Sequence, residues 1–251
     1  EDPLDVMPLD DLVAEGIELV IEETGLLAGL AHPVSPSDVG RVLDTAIHYG
    51  APAYNRGSIS GCAEIYWATC QSLLEAVDVS ATNPQASWRV PFLRFFTELE
   101  DVQHSYPLVE TATANEIAWA LRHTFDRFHT ARGIQEIENL TAQILSTKLP
   151  LMRELIKWVL LVAIQHGNRV FDAKDLHGCA ELHHLTARRL LPILEDPNGK
   201  SALKADPHLL AFHRDLEDLL DANPRVDSTN SQQLAWDLYN AFVRLLNAPD
   251  T

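Results

Sequence analysis

The chain has 251 residues, 46% of them hydrophobic, and its 36 acidic against 19 basic residues give a formal net charge of −17. That is enough apolar material to fill a real core, which sets disorder aside, while the negative field repels phosphate backbones and anionic membrane surfaces. No basic cluster relieves it, because Arg188-Arg189 sit among acids, so nucleic acid is not an expected partner.

Nor does any apolar run reach the roughly 18 residues that a bilayer span needs. The best candidate, Leu155 to Ile164, contains Lys157 and is followed at once by Gln165 and His166. Cys62, Cys70 and Cys179 form neither a Cys-x-x-Cys pair nor an even-numbered disulfide framework. The sequence starts at Glu1 without Met, which fits a removed leader or a trimmed N-terminus alike, and the acidic, lysine-poor composition favours a secreted, periplasmic or organelle-lumen location over a cytoplasmic one.

Apolar residues recurring every three and four positions predict helices over 9–30, 37–49, 59–78, 88–104 and 114–131. A weaker segment follows at 134–147, then helices over 151–166, 176–194, 205–221 and 231–247. Breaks are expected at Asn83-Pro84, Pro107, Gly133, Asp196-Pro197-Asn198-Gly199 and Asn223-Pro224. No stretch alternates in strand fashion, so the expected fold class is all-α.

The helices come in two sets. Ala46-Ile47-His48-Tyr49-Gly50 recurs as Ala163-Ile164-Gln165-His166-Gly167, and Gly61-Cys62-Ala63-Glu64 recurs as Gly178-Cys179-Ala180-Glu181, both displaced by 117 positions. Without a gap the same offset aligns Leu99-Glu100-Asp101 with Leu216-Glu217-Asp218, Ala118-Trp119 with Ala235-Trp236, and Arg127 with Arg244. The chain therefore reads as two tandem copies of a 117-residue bundle of four or five helices, at 1–128 and 129–251, expected to face each other about a pseudo-twofold axis. Helix starts are matched in kind: Thr113-x-x-Glu116 and Asn230-x-x-Gln233 have capping-box spacing, and Ser58 and Asp175 are N-cap candidates.

Chemistry-bearing patterns are sparse. Glu181-x-x-His184 has the spacing of di-iron carboxylate bundles, but the corresponding segment of the first copy, Glu64-Ile-Tyr-Trp67, lacks the symmetric ligand. At helical geometry Glu181 and His184 fall off the apolar stripe, which places both toward solvent or a polar surface. Cys179 and His183 share a helix face and could ligate zinc; Tyr66 at the first-copy position instead suggests a large amphipathic filler beside a buried cysteine. Gly-Cys-Ala in each copy reads as a small-residue patch for close helix approach.

The segments 49–57 and 166–174 read as interhelical loops, each carrying an aromatic, an Asn or Asp and a basic residue before a helix N-terminus that attracts anions. Tyr54, Asn55 and Arg56 in one, and Phe171, Asp172 and Lys174 in the other, are thus candidate ligand-binding residues, with Tyr54 and Phe171 alternatively serving as hydrophobic staples.

Two functions follow. The favoured one is a non-enzymatic helical module, with no cofactor, that holds a partner protein or small amphiphilic ligand between its duplicated halves. The alternative is a metal- or haem-dependent enzyme or carrier, using iron, zinc or haem, with Glu181, His183, His184, His213 and Glu217 as ligands in the second repeat.

Overall fold

The computed structural model describes residues 3–30, 34–77, 89–146, 152–172, 175–195 and 197–249. Among these every regular element is a helix. They are α1 (Pro3–Val6), α2 (Leu9–Ala28), α3 (Pro36–Asn55), α4 (Ile59–Ala76), α5 (Arg89–Ser105), α6 (Ala114–Ser146), α7 (Met152–Asp172), α8 (Leu176–Glu195), α9 (Pro197–Ala205), α10 (Pro207–Ala222) and α11 (Ser231–Leu246). No helix among the described residues is long and apolar enough to cross a membrane. The chain divides into two compact units, Glu1–Phe128 and His129–Thr251, and the division falls within α6.

In the first unit α4 lies against both α2 and α3, burying Cys62, Ile65, Tyr66, Cys70 and Leu73. The first part of α6 is placed by aromatic contacts, Phe125 against Tyr66 at 5.4 Å and Phe128 against Phe95 at 4.4 Å between ring centroids. Close approach depends on two glycines. A Cβ at Gly16 would come within 2.7 Å of Tyr49 Cβ, and one at Gly50 would run into the Tyr66 ring.

In the second unit α8 is the central helix, packed most extensively against α7 and α11 and also against α10, which leans mainly on α11. Its core gathers Ile137, Val159, Leu160, Leu182, Leu190, Phe212, Leu238 and Phe242. Glycine again sets the spacing: a Cβ at Gly133 would come within 2.7 Å of His166 Cγ, and one at Gly167 would strike the His183 ring.

Several local expectations are corrected. The segments before residues 58 and 175 are mostly helix rather than loop. Helix α3 continues through Gly50 and Pro52 to Asn55 because Tyr49, Gly50 and Ala53 are buried, and burial outweighs the hydrogen bond that Pro52 removes in the last turn. The helix stops where Gly57 takes φ 92°, with Ser58 N–H donating to the Ala53 carbonyl and Gly57 N–H to that of Tyr54. Gly133 does not break the chain; 114–131 and 134–147 join in α6, since Gly133 lies where only a glycine fits beside His166. Pro197 opens α9 instead of ending a helix, using the first-turn position proline tolerates.

Caps differ as well. Asp175 accepts from Gly178 N–H at 2.8 Å as expected, whereas the Ser58 side chain makes no cap bond. Asn230 also makes none; its Oδ1 accepts from Asp227 N–H behind it. Thr113 turns its hydroxyl to the Glu110 carbonyl. The full capping box sits instead at Ser35 and Asp38, ahead of α3.

Candidate functional site

The residues singled out from sequence do not converge on one centre. In the first unit Tyr54 lies in the last turn of α3, where its hydroxyl donates to Asn115 Oδ1 at 2.9 Å and accepts from Trp119 Nε1 at 3.1 Å. The two rings meet edge to face at 5.7 Å. Arg56 is occupied too, donating to the Leu4 carbonyl at 2.9 Å and the Met7 carbonyl at 2.6 Å, the unsatisfied C-terminal acceptors of α1. Asn55 is exposed at the end of α3. Tyr54 and Arg56 are therefore committed to tying elements together.

The second unit differs at the corresponding positions. Phe171 has no hydroxyl, and Trp236 stacks on Tyr239 with centroids 5.6 Å apart and 17° between planes. His183 lies 117 positions after the larger Tyr66. The result is a cavity of about 210 Å³ walled by Phe171, Trp236 and Tyr239, edged by Asn168 and Gln232, and floored by Cys179 and His183. Lys174 and the Asp172 side chain lie outside the described residues.

Helices α7 and α11 carry a second hollow further along the same pair. There the N-terminal part of α7 and the C-terminal part of α11 enclose about 460 Å³ lined by Lys157, Trp158, Leu161, Ile164, Val243 and Leu246. Because the early residues of one helix meet the late residues of the other at this hollow, and the reverse at the first, α7 and α11 run antiparallel. The lining positions on α7, from 154 through 157/158, 161, 164 and 168 to 171, advance by three or four and so share one face. Trp158 is 60%, Leu161 50% and Phe171 47% exposed on α7, and Trp236 57% on α11. Exposed large apolar side chains gathered around hollows mark interaction surfaces on folded proteins.

At the floor, His183 donates from Nδ1 to the Ala235 carbonyl at 3.3 Å and turns Nε2 toward Gly167. Burial lowers its pKa to about 4, so the ring is neutral at pH 7. Burial, aided by Asp175, raises the Cys179 thiol to about 11. A protonated thiol beside a neutral imidazole aimed elsewhere is not an activated nucleophile pair.

The metal candidates separate into three places. Glu181 is exposed and pairs with His177 at 3.3 Å. His184, expected at a polar surface, is buried and donates from Nε2 to the Asn223 carbonyl at 2.9 Å; burial lowers its pKa. His184 lies on the face of α8 that exposes His177, Glu181 and Arg188, but the C-terminal end of α10 covers it there through the Asn223 carbonyl. His213 and Glu217 do come together, Nδ1 to Oε2 at 3.2 Å, and Glu195 joins them with Oε1 3.9 Å from His213 Nε2.

Trp158, Leu161, Tyr239 and Glu195 were not anticipated. The signal was present on α7, where the unbroken apolar run Leu155-Ile156 and Trp158 to Ile164, interrupted by Lys157 alone, supplies more apolar faces than one core contact can use. No family model, curated protein or solved structure matches the chain.

Proposed function

We propose that this chain is a non-enzymatic binding module made of two tandem copies of one helical bundle, in which the second copy holds an amphiphilic ligand or an amphipathic segment of a partner protein along the α7–α11 groove. The observation that carries the reading is the exposure of Trp158, Leu161, Phe171 and Trp236 around two hollows along the α7–α11 pair.

The tandem-copy part is supported by contacts that recur 117 residues apart. Gly16 against Tyr49 is matched by Gly133 against His166, and Gly50 against Tyr66 by Gly167 against His183. The Arg127–Glu98 ion pair, 2.8 Å, is matched by Arg244–Asp215, also 2.8 Å. Ser58 N–H to the Ala53 carbonyl is matched by Asp175 N–H to that of Val170. Cys62 and Cys179 are each the fourth residue of their helix, and Trp119 and Trp236 each the sixth. A duplicated scaffold leaves one copy free to diverge, and the exchanges of Tyr54 for Phe171 and Tyr66 for His183 account for an open hollow in the second unit.

The test is a titration of the full chain with dodecyl maltoside below its micelle concentration, followed by tryptophan emission. A saturable blue shift is expected, weakened by Leu161→Asp, a change at an exposed position that leaves the fold intact. An absent or non-saturable response contradicts the reading.

One observation favours a second reading, a metal-dependent role. Glu217 holds His213 Nδ1 while Nε2 faces Glu195 at 3.9 Å, too long for a hydrogen bond, and ligand atoms of all three residues lie within 4.8 Å of one another. Stoichiometric zinc or iron in purified protein, lost in His213→Ala, would move this reading to first place.

A further inference from the structure

We infer that the occupant of the α7–α11 groove is a basic amphipathic helix; the inference rests on the binding reading above and adds the partner's charge, length and placement. The helix α11 is a ridge between two different grooves. Val243 and Asn247 line the apolar hollow shared with α7 and also a hollow of about 650 Å³ shared with α10, whose remaining lining includes Asp215, Asp218 and Asp237. Apolar and acidic surfaces are thus separated by the width of one helix.

The acids differ in what they face. Asp215 is neutralised by Arg244 at 2.8 Å. Asp237 accepts only from the neutral Gln233 side chain at 2.9 Å, and among the described residues no cation pairs with Asp218 or Asp237. Two unneutralised carboxylates across α11 from the apolar side chains are complementary to a helix whose apolar stripe is bordered by lysine or arginine. With its apolar face on Trp158, Leu161 and Trp236, such a helix carries its basic border over α11 toward Asp218 and Asp237.

Length and field agree. The 14 residues from Trp158 to Phe171, with 13 rises of 1.5 Å between them, span about 20 Å, which a helix of about 14 residues covers. The formal charge of −17 steers a cationic partner inward and opposes the approach of a second copy of the same chain.

The experiment titrates the full chain with three probes: a model helix of leucine and lysine in a 3.6-residue period, its glutamate counterpart of equal length, and dodecyl maltoside. The lysine helix is expected to bind one per chain, at least about tenfold tighter than the glutamate helix, with affinity falling as salt rises. Asp218→Asn combined with Asp237→Asn should weaken it about fivefold and leave the maltoside isotherm unchanged. The control pair Asp10→Asn with Asp11→Asn, on α2 in the first unit, should change neither.

Equal binding of the two model helices, failure of the lysine helix to bind, or equal sensitivity to the control pair overturns this inference while maltoside binding keeps the groove as a binding site. Sedimentation showing a dimer broken by Leu161→Asp would assign the groove to a second copy instead. Failure of all three probes removes the binding reading itself.

Discussion

Trp119 donates its indole N–H to the Tyr54 hydroxyl at 3.1 Å, and with the bond from that hydroxyl to Asn115 at 2.9 Å it holds the end of α3 to α6 in the first unit. The residues 117 positions on, Trp236 and Phe171, cannot form it, and Trp236 stacks on Tyr239 instead. Tyr54→Phe removes both bonds of the hydroxyl and leaves the rings in contact. Stability should fall by about 1 kcal/mol, and quenching of Trp119 emission by acrylamide should rise toward that of Trp236. An unchanged quenching constant would show that the hydroxyl does not restrain the indole.

Helix spacing makes a second prediction, in which chemically identical substitutions have opposite signs. Gly167→Ala forces a methyl group into the His183 ring on a neighbouring helix and should cost about 1–3 kcal/mol, as should Gly50→Ala against Tyr66. Gly25 in α2 has nothing within 4 Å of its would-be Cβ, so Gly25→Ala should stabilise by about 0.5–1 kcal/mol. Urea unfolding midpoints of the three variants decide it. A stabilising Gly167→Ala would mean that α7 and α8 do not approach as described.

These glycines also show how much the sequence disclosed. The all-helical class was legible because periodicity integrates over whole helices, and most helix centres followed from it. Helix ends were less so: Gly50 and Pro52 carry the local signature of a break, yet burial of Tyr49 and Ala53 takes α3 through them. His184 shows the same limit at the site, since a helical wheel puts it on the polar face of α8 with His177, Glu181 and Arg188, and the end of α10 at Asn223 covers that position from a distance in sequence. Trp158 and Leu161 looked like core because exposure is a property of the neighbours that a face lacks, and no single helix sequence records that.

Acid should weaken the second unit through its buried histidines. The His183 pKa falls from 6.5 unfolded to about 4 folded, and burial lowers His166 and His184 as well. A depressed folded pKa means that the unfolded chain takes up the proton first, so the contribution is complete above pH 6.5 and is lost as pH falls toward 4. For His183 it is on the order of 3 kcal/mol, with about 2 kcal/mol gone by pH 5. The difference in unfolding free energy between pH 7.5 and pH 5 should shrink by about that amount in His183→Phe. An unchanged difference would remove His183 as the source.

The thiols should be inert in the native state. All three cysteines are buried, with Cys62 and Cys70 pushed up to about 12 and Cys179 to about 11 by loss of solvation. At pH 8 each is protonated and inaccessible, so labelling by a chromogenic disulfide should be slow and should follow the rate of opening. Labelling of Cys179 as fast as that of an unfolded control would place it on an open surface, contrary to its position under Phe171 and Trp236.

The claim that the binding face belongs to the second unit is tested most directly by the indole N–H resonances of ¹⁵N-labelled protein during titration with dodecyl maltoside. Trp158 and Trp236, exposed along the α7–α11 groove, should shift in a saturable way, while Trp67, buried in α4, and Trp119, held by Tyr54, stay in place. Equal shifts at Trp119 and Trp236, or none at Trp158 and Trp236, would contradict the assignment of the groove.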